Sequence, residues 1–453
     1  MYLICDVCSE YLDVVCNACN AAPSHTVIGW YGVLIGIALA IFMIVKKLSP
    51  VYSMFMGAAV GAIIGGAPLS ETLRHVIIAG TGTMMPVVVR ILAAGVMVGV
   101  LIETGSAEVI AETVVKKLGA KHAVLAITLS CMILTAVGIF NTISIVMLSP
   151  LAISVARRTG ITKMSMLLAL SGGSKAGNII SPNPNAVAAA EAYGIPLSDV
   201  MIGGFIPALF GLAATVIIAG LIKNKGPLAA DSDVTEADQS QMPSFAKAIA
   251  APAIAVGLLI ISPIGNILGI EVLGNLQVDA FFILPIAAII GALILGKAKK
   301  IKEYSNNGIV RMIPVAMLLV AAGAVGGLIT HSEVPDMLAT GIVNIGMRPM
   351  LLAPISTIIM AAAVSSAVTG LILGATAFAD TIMAFGVAPL AGAVMQHAGC
   401  VVIDVLPHGN IFLASKESMR MSTSERMKLI PYEAAIGFIQ VVAATVMYGI
   451  ILA

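Results

Sequence analysis

The chain has 453 residues, of which 59% are hydrophobic and only 10% charged, with a formal charge of +1 and a mean hydropathy of +1.05. A soluble core cannot hide that much apolar surface, so an all-α integral membrane protein is expected. The near-zero charge, with Lys and Arg in short flanks beside apolar runs rather than in patches, excludes nucleic acid as a partner.

Residues 1–27 read as a Cys-containing extension. Cys5, Cys8, Cys16 and Cys19 spell C-x2-C-x7-C-x2-C, four thiolates in the style of a zinc site. The loop between the pairs is short for a zinc ribbon and the segment leads straight into the first span, so no metal is expected. Residues 1–25 do not have the basic start and apolar run of a signal peptide. Apolar segments then recur at 28–45, 52–67, 84–103, 121–138, 142–157, 164–190 and 199–222. After the acid-, Ser- and Pro-rich stretch 223–247 they resume at 246–262, 277–296, 311–330, 349–367, 371–387, 390–415 and 432–452. Most are long enough to cross about 30 Å of hydrocarbon as helices. The organisation expected is a first membrane repeat (28–222), a cytoplasmic linker (223–247) and a second membrane repeat (248–453).

The halves resemble each other. At one constant offset, Pro86 matches Pro314, Ala93-Ala94-Gly95 matches Ala321-Ala322-Gly323, and Gly99 matches Gly327. Farther on, "SPNPNAVAAAEA" from Ser181 aligns with "LPHGNIFLASKE" from Leu406, pairing Pro182 with Pro407 and Asn185 with Asn410. Any single glycine match has helix packing as its plain explanation; several in the same order indicate an internal repeat. Orientation follows from the basic clusters at Lys46-Lys47, Lys116-Lys117, Arg157-Arg158, Lys297–Lys302 and Lys416–Lys428, which belong in the cytoplasm. All are satisfied if 121–138 and 142–157 form a re-entrant hairpin, which makes the repeats inverted. About ten transmembrane helices plus two re-entrant hairpins, the second at 349–367 and 371–387, result.

Inverted repeats with interrupted helices are the build of secondary transporters, with sites near the midplane where helices break. Pro182 and Pro184 predict such a break, with a helix restarting at Ala186 and pointing free N–H groups at an anion. Lys175, Asn178, Ser181, Asn183 and Asn185 are the candidate ligands for its carboxylate and hydroxyls. The aligned break in the second half adds Asp404, His408 and Asn410, with Asp404 opposite Ile179, His408 opposite Asn183 and Cys400 opposite Lys175. Asp404 and His408 are candidate proton carriers; the competing reading of Asp404 is a permanently ionised group that caps the interrupted helix or pairs with a neighbouring cation. Asp380 and His397 lie inside spans, where ionisable groups are functional by default, and Asp380 joins the coupling candidates. Arg90 lies a few residues into its span, where snorkelling to the headgroups is easy, and is left out of the site. Cys131 and Cys400 read as ordinary small apolar residues.

From about Ile28 onward, the region "GNIISPNPNAVAAAEAYGIPLSDVMIGGFIPALFG" and its counterpart "LPHGNIFLASKE" resemble the gluconate permease family, part of the wider ion transporter superfamily. The resemblance implies proton-coupled uptake of gluconate or a related small hydroxylated acid, such as an aldonate or glycerate, across a bacterial inner membrane, or of D-serine in some members. It also implies polar hairpin tips at the site, which map by position to Asn141-Thr142-Ser144 and Ser365-Ser366-Thr369. Where gluconate carriers tend to show a His- and Pro-rich motif, this chain has "NIISPNPN", which leaves the acid open. The partners expected are a small organic acid, protons and the bilayer; a homodimer is one assembly the sequence admits, and no cofactor is expected. A passive organic anion channel and a membrane enzyme are the competing classes. The absence of a Ser/His/Asp, His-rich or paired-carboxylate pattern speaks against the enzyme, and the lack of a Walker motif against ATP-driven transport.

Overall fold

A computed structural model describes residues 27–46, 48–233, 242–274, 278–344 and 348–452. The Cys5–Cys19 quartet lies outside the described residues, as does the centre of the expected linker. The described residues are helical throughout; their one β-type contact is an isolated bridge between Ile28 and Ser332.

The helices used below are α1 (Trp30–Val45), α2 (Pro50–Ile64), α3 (Met85–Glu103), α4 (Ser106–Leu118), α5 (Ala123–Ala136), α6 (Asn141–Thr159), α7 (Lys163–Asn178), α8 (Pro184–Ala192), α9 (Phe205–Leu221), α10 (Ala250–Leu268), α11 (Ala280–Ile294), α12 (Ile301–Thr330), α13 (Leu352–Val364), α14 (Ala367–Ala384), α15 (Pro389–Cys400), α16 (Asn410–Ser418) and α17 (Ile430–Val446). Among the described residues, Leu69–Glu103, Ala298–Thr330, Ala367–Ala384 and Thr423–Ile451 are long and apolar enough to cross a membrane. Two bent pairs, α4 with Ala120–Ala136 at 105° and Leu197–Gly203 with α9 at 43°, raise that to six. The remaining apolar helices, α1, α2 and α11 among them, run to 10–17 residues, so length alone does not reach the expected ten. The amphipathic α4 was not expected as an element: Glu112 and Lys116 pair at 2.9 Å along its polar side, and a search for apolar runs passes over such a helix.

The crossing of α3 with α12 is built on small residues. A Cβ on Gly308 would collide with the Gly95 carbonyl oxygen, and one on Gly99 with the Tyr304 carbonyl. Ahead of α3, in the same Leu69–Glu103 span, the pattern repeats along α12: a Cβ on Gly323 would collide with the Gly80 carbonyl, and one on Gly327 with that of Val76. As numbers rise on one helix they fall on the other, so the two helices run antiparallel. The two sets of contacts are related by the same offset that matches Gly95 with Gly323 and Gly99 with Gly327. Without a hydrophobic drive between helices in lipid, backbone approach of this kind is what holds such a crossing together.

Around α7 pack α5, α6 and α9, while α13, α14, α15 and α17 form a second group whose α14 and α15 also flank α8. The start of the expected linker is strapped to the α7 group. Lys163 pairs with Asp233 at 3.1 Å, and the Arg420 guanidinium donates to the Ser232 carbonyl. Partial burial raises the Asp233 carboxyl, but the Ala230 N–H and the Lys163 ammonium outweigh it and hold it below the usual aspartate range.

Candidate functional site

The segment from Asn178 to Pro184 is a break, as the prolines predict. The helix restarts at Pro184 rather than Ala186, because proline is suited to the first helical position, where no N–H partner is needed, and Asn183 caps it. The Asn183 Oδ1 accepts from the Asn185 N–H at 2.8 Å and the Ala186 N–H at 3.1 Å. Its Nδ2 donates to the Asn178 carbonyl at 2.7 Å. In the second half α15 ends at Cys400 and α16 begins at Asn410, leaving 401–409 as the matching break.

Two hairpin tips meet these breaks. The first joins α5 to α6 through 137–140; the second joins α13 to α14 through Ser365, held in the left-handed region at φ 48°, and Ser366, which caps α14. A non-glycine residue in that conformation stores strain of a kind that clusters at functional sites. The Ser365 hydroxyl donates to the Leu406 carbonyl at 3.0 Å. A Cβ on Gly409 would collide with that hydroxyl, so glycine is required where the second tip touches the second break.

Between them lies a cavity of about 160 Å³ lined by Asn141, Thr142, Asn185, Ser365, Ser366, Thr369, His408 and Asn410, with Phe140, Met54, Leu318 and Ile411 among its apolar walls. The N-terminal ends of α6, α8, α14 and α16 all border it. Neither α6, preceded by Phe140, nor α16, preceded by Gly409, has a side-chain cap, so their first N–H groups are free for a ligand. Among the described residues no Asp, Glu, Lys or Arg lines the cavity. Three polar atoms of the lining, Thr142 Oγ1, Asn185 Oδ1 and His408 Nε2, have no hydrogen-bond partner although they are buried. Each such orphan costs on the order of 1–3 kcal/mol until something pairs with it.

Behind the cavity lies a fixed network. Asn178 donates to Asn141 Oδ1 at 2.8 Å and accepts at its own Oδ1 from Asn185 Nδ2 and His397 Nε2, both at 2.9 Å. Ser144 is buried one turn into α6, and Ser181 is buried with an unpartnered hydroxyl. Lys175 and Asp404, 1% exposed each, form an ion pair at 2.5 Å, and Lys175 also donates to the Val401 carbonyl. The two breaks are thus tied together by charge, with Lys175 facing Asp404 rather than the cavity. Asp380 lies apart, on a second cavity of about 330 Å³ with Glu191, His331 and Thr376. Arg90 is held in ion pairs. It holds Asp279 through two nitrogens at 2.8–3.0 Å and Glu191 at 2.6 Å, partners 189 and 101 residues away that no local pattern could have indicated.

The sequence pattern of the GntP family of permeases matches residues 28–452. The chain belongs to that family. A Haemophilus influenzae protein called an uncharacterized transporter is 43% identical over 94% of this chain and 99% of its own length. The D-serine transporter DsdX of Escherichia coli is 25% identical over 76% and 80% of the two chains, and a gluconate permease of Pseudomonas aeruginosa 23% identical over 86% and 91%. The solved Alcanivorax borkumensis YdaH transporter shares the fold, with a TM-score of 0.58 at 14% identity over 84% and 87% of the chains. In this GntP-family permease the four helix ends and three orphaned polar atoms therefore sit in a multi-pass membrane transporter.

Proposed function

We propose that the chain is a secondary active transporter that takes up gluconate or a related small hydroxylated carboxylate, coupled to protons, across the bacterial inner membrane. The observation that carries the substrate reading is the 160 Å³ cavity. Four positive helix ends favour a carboxylate. The orphaned Asn185 Oδ1, Thr142 Oγ1 and His408 Nε2 favour hydroxyls, which both donate and accept. D-serine is the second reading, favoured by the name of one relative. Its ammonium wants a carboxylate or several acceptors; among the described residues the lining has no acid, so the orphaned Asn185 Oδ1, Thr142 Oγ1 and His408 Nε2 would have to receive it.

Inversion of the two repeats is supported by the antiparallel α3–α12 crossing and its constant-offset contacts; the two re-entrant hairpins and the cytoplasmic linker belong to the same reading. It brings residues of both hairpin tips, Asn141 and Ser366, and the aligned Asn185 and Asn410 to one cavity. For coupling, the buried Lys175–Asp404 pair is the proton-exchanging element, because protonating Asp404 loosens the tie between the two breaks and so links a proton to their relative position. His408, on the cavity wall, and Asp380, on the second cavity, are the alternative carriers.

A thermal-shift panel on the purified protein tests the substrate reading. A ligand present at a hundred times its Kd and binding only the folded state stabilises by about 2.7 kcal/mol. Gluconate, glycerate or another aldonate is expected to raise the melting temperature where propionate does not. Stabilisation by D-serine alone overturns the hydroxy-acid assignment.

A further inference from the structure

The Arg90 cluster is not used by the cavity: along the antiparallel pair Arg90 lies between the Gly80–Gly323 and Gly95–Gly308 approaches, and Glu191 borders a cavity shared with Thr330 and His331, at the end of α12 away from Lys299 and Lys300. Asp279 caps the start of α11, whose other end runs into Lys297, Lys299 and Lys300, and Arg90 is in the second turn of α3. Arg90 is held to Asp279 by its Nε and Nη2, which fixes the guanidinium to the α3–α11 pair. Its Nη1 meets Glu191 at 2.6 Å. Glu191 belongs to α8, whose first turn carries Asn185 of the candidate site, and lies about 9 Å farther along the axis at 1.5 Å per residue. One carboxylate therefore joins the substrate-carrying helix to a guanidinium anchored elsewhere.

Glu191 is also where two cavities meet. The first, about 350 Å³, is lined by Arg90, Val187, Glu191, Ser198 and Asp279. The second, about 330 Å³, is lined by Ala188, Glu191, His331, Thr376 and Asp380. On α8, Val187 and Ala188 lie within one turn of Asn185, so little more than a helical turn separates these cavities from the binding cavity. The geometry points to the Arg90–Glu191 ion pair as the outer gate of the transporter. While it is formed, α8 is pinned against α3 and the outer route to Asn185 is shut; when it parts, the two cavities join into one vestibule leading to that turn. Asp279 keeps Arg90 in place throughout, so the gate recloses on a preset partner.

The inference rests on the transporter reading, and its test needs no substrate. Val187 is 4% exposed. A Val187→Cys reporter in right-side-out vesicles is treated with a membrane-impermeant maleimide, and modification of residue 187 is followed by peptide mass spectrometry. The three side chains are 26–40% exposed, so the pair is a modest lock, and its loss is expected to shift the closed-to-open balance by about fivefold. Glu191→Gln, nearly the same shape without the charge, should label about fivefold faster than the parent. Glu191→Asp should remain near the parent rate, and 1 M salt should narrow the difference by screening the parent's pair. Equal rates in Glu191→Gln and the parent overturn the gate, as does an equally large acceleration in Glu191→Asp. Should Glu191→Gln fail to fold, Arg90→Lys serves in its place: one ammonium cannot hold both acids through a fork, and an unchanged rate there overturns the gate too. A protein that labels as expected but binds no hydroxy acid keeps the gate and loses only the substrate assignment.

Discussion

Asn185→Ala separates a ligand-facing group from a structural one. Asn185 is fully buried; its Nδ2 is bound to Asn178 Oδ1 at 2.9 Å, whereas its Oδ1 has no partner and the residue lines the cavity. An amide oxygen accepts, so it pairs with a substrate hydroxyl rather than with the carboxylate. A neutral hydrogen bond contributes about 0.5–1.5 kcal/mol, or roughly a two- to thirteenfold change in Kd. Asn178 Oδ1 keeps its bond from His397 in the variant, so the network behind the cavity stays partly satisfied. Asn183→Ala is the contrast. Both ends of that side chain are bound internally, and removing the cap of α8 should cost about 0.5–2 kcal/mol of stability. Titration calorimetry with gluconate or glycerate, beside thermal unfolding of both variants, makes the comparison. Asn185→Ala should weaken the hydroxylated acid several-fold and leave a deoxy analogue, which lacks the one hydroxyl that Asn185 pairs but keeps the others, nearly unchanged. Equal loss for both ligands, or none, refutes the assignment of Asn185 Oδ1 to a hydroxyl.

Asp404→Asn should retain binding and exchange but lose accumulation driven by a proton gradient. Because the substitution leaves Lys175 buried without its counter-ion, it is paired with Lys175→Met/Asp404→Asn, whose melting temperature should recover while coupling stays lost; normal pH-dependent accumulation in either variant removes Asp404 as the carrier. Asn224→Cys, at the exposed start of the linker, should react only with a reagent on the cytoplasmic side; labelling from outside in intact cells breaks the inverted-repeat path. Gly308→Leu should prevent stable folding, because no backbone space exists between α3 and α12; wild-type expression and melting would refute that crossing.

What could be read beforehand depended on how local its cause was. Pro182 and Pro184 announce a helix break by themselves, since a missing N–H and a fixed φ act on adjacent residues. The restart came two residues early because the Asn183 cap, a side-chain bond, decides the boundary. The hairpin tips at Asn141 and Ser366 were placed through resemblance and position, and the fold brings both to the cavity. The repeat alignment pairs Asp404 with Ile179 and Cys400 with Lys175, which says nothing of distance; that Lys175 turns to Asp404 rather than to the cavity is a tertiary outcome. The partners of Arg90 were not legible because its position within the span is a local property, whereas its two acids come from distant helices.

The most direct measurement is uptake of radiolabelled gluconate or glycerate into proteoliposomes holding the purified protein, with and without an imposed pH gradient that drives protons inward. The account predicts accumulation above the outside concentration that collapses with a protonophore and falls several-fold in Asn185→Ala at subsaturating substrate. Equilibration to equal concentrations irrespective of the gradient, or accumulation of D-serine with no movement of either hydroxy acid, contradicts it.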